Sequence, residues 1–138
     1  KDLVAQSSII LEKLALVAQR SPQVVLDYHE RLANRVKDLT NAGKIDLDND
    51  VLAREVALFA ERCDIAEEIS RLRSHVEQFL KTMDSPEPSG RKMDFIAQEM
   101  LREANTIGSK ASDAAIAMLV VDIKTAIDRI KEQVQNVE

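Results

Sequence analysis

The sequence predicts an all-α fold, a bundle of helical hairpins with long antiparallel helices. Glycine and proline, the residues that most often interrupt helices, number only three each in 138 residues. Apolar residues make up 45% of the chain but aromatic residues only 3%. The apolar residues recur at spacings of three and four, which is the helical period. The clearest loop, DSPEPSG at residues 84–90, separates two such periodic stretches.

Length and composition limit the classes of protein that this chain can belong to. We expect one domain over residues 1–138, and the start at Lys1 without an initiator methionine suggests a fragment. No apolar stretch approaches the roughly 20 residues that span a bilayer. Cys63 is the only cysteine, so an internal disulfide is impossible, which fits a reducing cytoplasm. The net charge of −5 argues against a protein that coats duplex nucleic acid, but a metal-dependent nuclease needs carboxylates.

Several familiar sites are absent from the sequence. There is no HExxH motif, no Cys or His pair with zinc spacing and no glycine-rich phosphate loop. A di-iron bundle requires Glu three residues before His, and Leu72 occupies that position before His75.

Five helical segments are predicted, and the first two are separated at a proline. The first covers residues 3–19. Ser21 and Pro22 form a cap and first turn, so the second covers residues 22–40 and ends before Gly43, which suits a left-handed cap. The second segment is expected to bury an apolar stripe of Val25, Tyr28, Leu32, Val36 and Leu39.

The third segment runs from Asp48 or Asn49 to about residue 83 and carries a polar row beside its apolar stripe. The stripe consists of Ile65, Ile69, Leu72, Val76, Phe79 and Leu80, and the row of Asp64, Glu68, Arg71 and His75. Such a row can be a ladder of ion pairs. A histidine with carboxylates one or two turns away also suits proton transfer. Both interpretations remain open at this point.

The fourth segment, residues 90–110, has an apolar wall and a polar stripe along one edge. The wall comprises Met93, Ile96, Ala97, Met100, Ala104 and Ile107, and the stripe Arg91, Asp94, Gln98, Arg102 and Asn105. Aligned carboxylate, guanidinium and carboxamide groups suit recognition of phosphate, a base or a metal. Alternatively, Glu99 and Glu103 form a solvated edge, and Arg102 pairs with Asp94 or Asp64 across the helices.

The fifth segment reaches about residue 136 and has a heptad seam. Gly108 either breaks or kinks the preceding helix, with Ser109 or Ser112 as the cap of the next. The seam consists of Ile116, Val120, Ile123, Ile127, Ile130, Val134 and Val137. It must be buried against another helix, in an antiparallel hairpin of the same chain or in a second subunit.

Three stretches resemble the C-terminal half of the bacterial YicC-like (YicC/YloC) endoribonuclease family. They are RCDIAEEISRLRSHVEQF, GRKMDFIAQEMLREANTIGSK and the final IKEQVQNVE, and the resemblance extends from about residue 22 to residue 138. It implies that an N-terminal domain of the parent protein is absent. It also implies a cytoplasmic, stress-related bacterial protein that cleaves RNA internally. A divalent metal, Mn²⁺ or Mg²⁺, would be required, with no other cofactor and no membrane partner. A homo-oligomer through helical surfaces is expected.

The resemblance and the chemistry of the residues together give a predicted site. Helices three and four are predicted to pack antiparallel across the 84–90 loop, which brings their polar rows together. The predicted catalytic residues are His75, Glu68, Glu99, Arg102 and Glu103, with Glu99, Glu103 and His75 as metal ligands. The predicted RNA-binding residues are Arg71, Arg91, Gln98, Asn105 and Lys110.

Two other functions remain possible from the sequence. One is a non-catalytic helical module for oligomerisation and RNA binding, with the heptad seam as its functional surface. The other is a structural helical domain whose polar rows are ion-pair ladders. On the enzyme interpretation, the fragment alone is expected to have weak or no activity.

Overall fold

The computed structural model describes residues 2–43 and 48–136, and in these residues it contains five α-helices and no strand. The predicted all-α class is therefore confirmed. The helices are α1 (Asp2–Asn41), α2 (Asn49–Arg62), α3 (Ala66–Met83), α4 (Gly90–Lys110) and α5 (Ala114–Gln135). No helix in this part of the chain is both long enough and apolar enough to cross a membrane.

Four of the helices close a bundle around one core. The helix α1 packs against α5 and α3, and α4 packs against both α3 and α5. The remaining helix, α2, returns along the C-terminal half of α1. All five helices contribute buried apolar side chains to the core, among them Leu14, Phe59, Leu72, Met100 and Ile127.

The predicted break at Ser21 and Pro22 is wrong, because α1 continues through Pro22 to Asn41. An interior proline costs a helix about 3 kcal/mol through a lost hydrogen bond and a clash. Val17 and Val24, on either side of Pro22 and seven residues apart on one face, are both buried in the core. Packing on both sides of the proline thus favours one continuous helix over two.

The C-terminal half of α1 is less buried than predicted. Its expected apolar stripe is only half-buried, since α2 alone covers it there. Tyr28 stacks on Phe59 of α2 with ring centroids 3.7 Å apart. Gly43 ends this region with a φ of +72°, as predicted for a left-handed cap.

The predicted third helix is two helices, α2 and α3. The chain leaves α2 at Cys63 and enters α3 at Ala66, whose backbone N–H donates to Asp64 Oδ1 at 3.0 Å. When an aspartate side chain accepts a hydrogen bond from a nearby backbone N–H in this way, the bond competes with continuation of the helix. Asp64 therefore precedes α3 and is exposed, so the polar row of α3 begins at Glu68.

The helix α4 has the predicted bounds. Ser89 caps it by accepting a hydrogen bond from the Lys92 backbone N–H at 3.2 Å. Gly108 does not interrupt α4 but lies against α5, where a Cβ at this position would be 3.2 Å from Val120 Cγ1. The cap of α5 is Asp113 rather than Ser109 or Ser112, since Asp113 accepts from the Ile116 N–H at 3.1 Å.

The heptad seam of α5 is buried within the chain. Its six described members, Ile116, Val120, Ile123, Ile127, Ile130 and Val134, are at most 5% exposed, and Val137 lies outside the described residues. Because α1 and α4 both pack on α5, they cover this seam. The intramolecular alternative is therefore correct, and the seam is not a free surface for a second subunit.

Candidate functional site

Two glutamates lie almost fully buried between α3 and α4. Glu68 of α3 and Glu103 of α4 are each only 5% exposed. Their location follows from the predicted antiparallel packing of these helices, which the cross-helix contacts below confirm. Charged side chains are rarely buried this deeply, because desolvation of a carboxylate costs several kcal/mol unless partners compensate it.

Glu103 has a guanidinium and an imidazole beside one of its oxygens. Arg71 Nε donates to Glu103 Oε2 at 3.1 Å, and His75 Nε2 lies 3.9 Å from the same atom. Arg71 also contacts Glu67 Oε1 at 2.7 Å. Hydrogen bonds to Glu67 and Glu103 raise the pKa of Arg71 above its ordinary value. Arg71 is thus held by carboxylates of its own helix and of α4.

Glu68 is paired through one oxygen only. Lys110 Nζ donates to Glu68 Oε2 at 3.2 Å, and Arg71 Nη2 lies 3.7 Å from this oxygen. The other oxygen, Oε1, is buried and has no hydrogen-bond partner in the described part of the chain. An unsatisfied buried acceptor of a charged group destabilises a fold by more than about 1–3 kcal/mol. A water, an ion or another ligand at this oxygen would satisfy it.

The structure brings five of the predicted residues together, and we refer to them as the α3–α4 cluster. The members are Glu68, Arg71, His75, Glu103 and Lys110. Their ion pairs between the two helices form part of an ion-pair ladder, one of the two interpretations that the sequence left open. The ladder is incomplete at Glu68 Oε1, however, and it encloses two buried carboxylates.

The other predicted site residues lie outside this cluster. Glu99 is half-buried one turn before Glu103 and makes no ion pair with a described residue. Gln98 accepts a hydrogen bond from Lys131 of α5. Arg91 and Asn105 are exposed on α4.

Arg102 is exposed and forms no ion pair with any residue in the described ranges. The alternative in which Arg102 pairs with Asp94 or Asp64 is therefore not what the structure shows. Asp94 is half-buried instead, and its Oδ1 has no hydrogen-bond partner in the same part of the chain.

The predicted set of three metal ligands is not assembled. Within residues 2–43 and 48–136, no group of three or more His, Cys, Asp or Glu side chains is placed to hold a metal ion. His75 and Glu103 approach each other, whereas Glu99 stays apart from them. Any divalent ion here would have to use fewer protein ligands than predicted.

Sequence reasoning missed two residues near the cluster. Glu67 forms the shortest ion pair of Arg71, and its spacing of four from Arg71 was a usable signal. Phe95 is 64% exposed on α4, and nothing in the helical period singles out an aromatic residue on the solvent side.

Comparison with known proteins places the chain in a family. The family model "Endoribonuclease YicC-like, C-terminal" matches residues 17–138. The chain belongs to this YicC-like family. It is 41% identical over 138 residues to "Probable endoribonuclease YicC" of Clostridioides difficile, covering the whole chain and 47% of that protein. It is 37% identical over 122 residues to the protein of that name from Haemophilus influenzae, covering 88% of the chain and 41% of that protein.

The chain thus spans about half the length of the curated YicC-like relatives that it matches. The family match confirms the predicted resemblance and begins five residues before the position expected from the sequence. All members of the α3–α4 cluster lie inside the matched region.

Proposed function

We propose that this chain is the RNA-cleaving part of a divalent-metal-dependent bacterial endoribonuclease of the cytoplasm, with the α3–α4 cluster as its reaction centre. The observation that carries this proposal is the burial of Glu68 and Glu103, from two different helices, with one carboxylate oxygen unsatisfied. A purely structural ladder would be expected to satisfy all of its buried oxygens.

The donor set of the cluster fits a hard divalent ion. Mg²⁺ usually keeps several waters and is bound by only one or two carboxylates together with phosphates of the substrate. Glu68 Oε1 and the Glu103 carboxylate would be these two ligands. A bound Mg²⁺ or Mn²⁺ would supply charge stabilisation at the phosphate and acidify a bound water.

The side chains around the carboxylates have distinct proposed roles. His75, half-buried with its Nε2 3.9 Å from Glu103 Oε2, would accept or donate the proton of the reacting oxygen. Arg102, exposed and without an ion pair to any described residue, would bind a phosphate of the RNA through its planar fork. Arg71 and Lys110 are already engaged by carboxylates, so they would hold Glu103 and Glu68 in position.

The proposal is tested by cleavage of a structured RNA in Mn²⁺ by the full-length parent protein and by this chain. Glu103→Gln removes the buried charge, and Glu77→Gln is the control, an exposed glutamate of the neighbouring helix α3. We expect Glu103→Gln to abolish cleavage and to weaken Mn²⁺ binding in calorimetry. Glu77→Gln should match the unmodified protein. An inert full-length protein, or a fully active Glu103→Gln protein, would refute the proposal.

We also propose that the protein assembles as a homo-oligomer through outer helical surfaces. Residues 114–121 of α5 carry no charged side chain, and Met118 and Val121 remain 72% and 61% exposed. A helix that is apolar on all sides is usually buried. In sedimentation experiments, the unmodified chain should be larger than a monomer and Met118→Glu should reduce its mass. A monomeric unmodified chain would contradict the assembly without affecting the proposed chemistry.

A further inference from the structure

Phe95 is an aromatic ring in solvent beside a charged site. The two other phenylalanines, Phe59 and Phe79, are 7% and 0% exposed, whereas Phe95 is 64% exposed. A scattered exposed apolar residue needs no explanation by itself. The neighbours of Phe95 on α4, however, give its position a chemical meaning.

Phe95 shares the outward ridge of α4 with polar residues. Glu99, Arg102 and Thr106 follow it at spacings of four, seven and eleven, so all four project on one side of the helix. Glu103, next to Arg102 in sequence, faces α3 and belongs to the α3–α4 cluster. The ridge therefore runs alongside the cluster, on its solvent side.

The ridge has a suitable length for a short single-stranded segment of RNA. With a rise of 1.5 Å per residue, Phe95 and Arg102 are about 10 Å apart along the helix axis, and Phe95 and Glu103 about 12 Å. A strand whose phosphate lies at Arg102 would thus bring a neighbouring base over Phe95. Proteins that bind single strands combine such cationic groups with aromatic platforms.

We propose that Phe95 stacks on a base of single-stranded RNA and, with Arg102, positions the strand along the α3–α4 cluster. This inference rests on the proposed function, because it assumes RNA as the ligand of the site. Unstacked bases of single-stranded RNA are commonly bound by aromatic faces and guanidinium planes. The exposed guanidinium of Arg102 complements the negative charge of the strand.

The surroundings of Phe95 favour RNA over a protein partner. Protein-binding surfaces have a contiguous apolar centre. On the ridge, the residues one and two turns from Phe95 are the charged Glu99 and Arg102. A single aromatic ring between charged groups suits a base and its phosphate better than an apolar side-chain cluster.

The first experiment uses Phe95→Trp as a fluorescent reporter, since the chain contains no tryptophan. Leu26→Trp is the matched control, at an apolar residue of α1 that is 59% exposed. A single-stranded RNA oligonucleotide is titrated into each protein without divalent metal. We expect the fluorescence of Phe95→Trp to be quenched, with the same dissociation constant as the anisotropy of labelled RNA gives. The fluorescence of Leu26→Trp should not be quenched.

The second experiment compares RNA affinities by anisotropy. Phe95→Ala should weaken binding by about 5- to 150-fold, the range that stacking on one base supplies, and Phe95→Trp should retain the affinity. Unchanged binding by Phe95→Ala, with weakened binding by Arg102→Gln, would overturn the role of Phe95 and leave the proposed function intact. No binding by the unmodified chain would overturn both. A shift in Phe95→Trp emission with protein concentration alone would indicate a protein contact and would also overturn the stacking role.

Discussion

The α1–α5 and α3–α4 interfaces both pair antiparallel helices in one bundle, but they differ in how completely their charged groups are hydrogen-bonded. Between α1 and α5, Arg20 binds both oxygens of Asp113, at 3.0 and 2.8 Å. Asp113 also caps α5. Between α3 and α4, one oxygen of Glu68 has no hydrogen-bond partner among residues 2–43 and 48–136. The first arrangement completes a helix end, and the second retains a buried, unsatisfied charge.

On the proposed function, this difference separates structural polar contacts from functional ones. Neutral groups of α1 also lack partners within the described ranges, since Gln6 Oε1 and Ser7 Oγ are buried and unsatisfied there. Burying a neutral group costs much less than burying a charge. The criterion is therefore an almost fully buried carboxylate with an unpaired oxygen. Glu68, at 5% exposure, meets it. Asp113 has partners for both oxygens, and Asp94, whose Oδ1 is also unpaired among these residues, is only half-buried.

The largest expected effect is on catalysis at His75. His75→Ala should lower the cleavage rate of the full-length protein by about 10²- to 10⁴-fold, the contribution of a general acid or base. Its melting temperature should change little, because the half-buried ring makes no hydrogen bond with a described residue and lies 3.9 Å from Glu103 Oε2. RNA cleavage assays and thermal melts measure the two effects.

The control for this prediction is His29→Ala, at the exposed histidine of α1. It should cut RNA as fast as the unmodified protein. Equal rates for the two variants would remove His75 from the proposed reaction.

The next largest effect is on stability and tests whether the two interfaces share one core. Ile123 of α5 is fully buried in the seam, so Ile123→Ala should lower the free energy of unfolding by about 2–5 kcal/mol. Denaturant unfolding should remain one transition. Leu26→Ala, at a position of α1 that is 59% exposed, should cost less than about 0.5 kcal/mol. Two separate transitions would show that the interfaces fold independently.

A smaller effect is expected at the complete polar contact of Asp113. Asp113→Ala removes the cap of α5 and should cost about 0.5–2 kcal/mol. Asp113→Asn keeps a capping side chain and loses the ion pair, so it should cost less than Asp113→Ala. Neither variant should change the rate of RNA cleavage. Chemical unfolding and RNA assays test both statements, and a cleavage defect in Asp113→Asn would contradict the structural role.

The contribution of Asp113 should depend on pH. Hydrogen bonds from Arg20, and then from the Ile116 backbone, hold the pKa of Asp113 below its ordinary value of 3.8. A lowered folded-state pKa means that the stabilisation is complete above the unfolded-state pKa. It is lost as the pH falls through the folded-state pKa. The stability difference between the unmodified protein and Asp113→Asn should therefore be constant at neutral pH and shrink below about pH 4.

The smallest effect is expected at the rim of the α1–α5 interface. Lys13 lies 3.5 Å from Asp122, whose side chain is 53% exposed. Lys13→Ala should cost less than about 1 kcal/mol, and high salt should reduce the difference further. Denaturant unfolding at two salt concentrations measures it. A loss as large as that of Ile123→Ala would show that rim charges stabilise this bundle more than the core does.

Local signals predicted the bounds of α4 and the seam of α5. Ser89 and the proline-containing loop before it mark the start of α4. The regularly spaced apolar residues of α5 form the buried seam, as predicted. The antiparallel return of α4 on α3 followed from the short loop. It predicted that the polar rows of the two helices meet, and the structure then pairs Glu68 with Lys110 and Arg71 with Glu103.

The errors arose where tertiary packing or a single side chain decides the backbone. Pro22 lies inside α1 because Val17 and Val24 are both anchored in the core. The end of α2 depends on the local bond of Asp64, and the sequence placed that residue inside a helix. These outcomes depend on the free energy of the assembled fold, and the helix propensity of a local segment does not determine that free energy.

The composition of the site was only partly predictable. Helical spacing placed Glu99 and Glu103 as neighbours, but the rotation of α4 against α3 buries Glu103 and leaves Glu99 half-exposed. The same rotation leaves Arg102 and Phe95 in solvent. A periodic pattern identifies the edges of a helix, and the packing then selects which edge is enclosed.

The most direct test measures RNA cleavage in Mn²⁺ and thermal stability for two variants of the full-length protein. Glu68→Gln should abolish cleavage and keep the melting temperature, because Lys110 is half-exposed and can reach water once its partner is neutral. Asp113→Asn should keep cleavage and lower the melting temperature. Full cleavage by Glu68→Gln, or losses of both properties in both variants, would contradict the division between a functional and a structural interface.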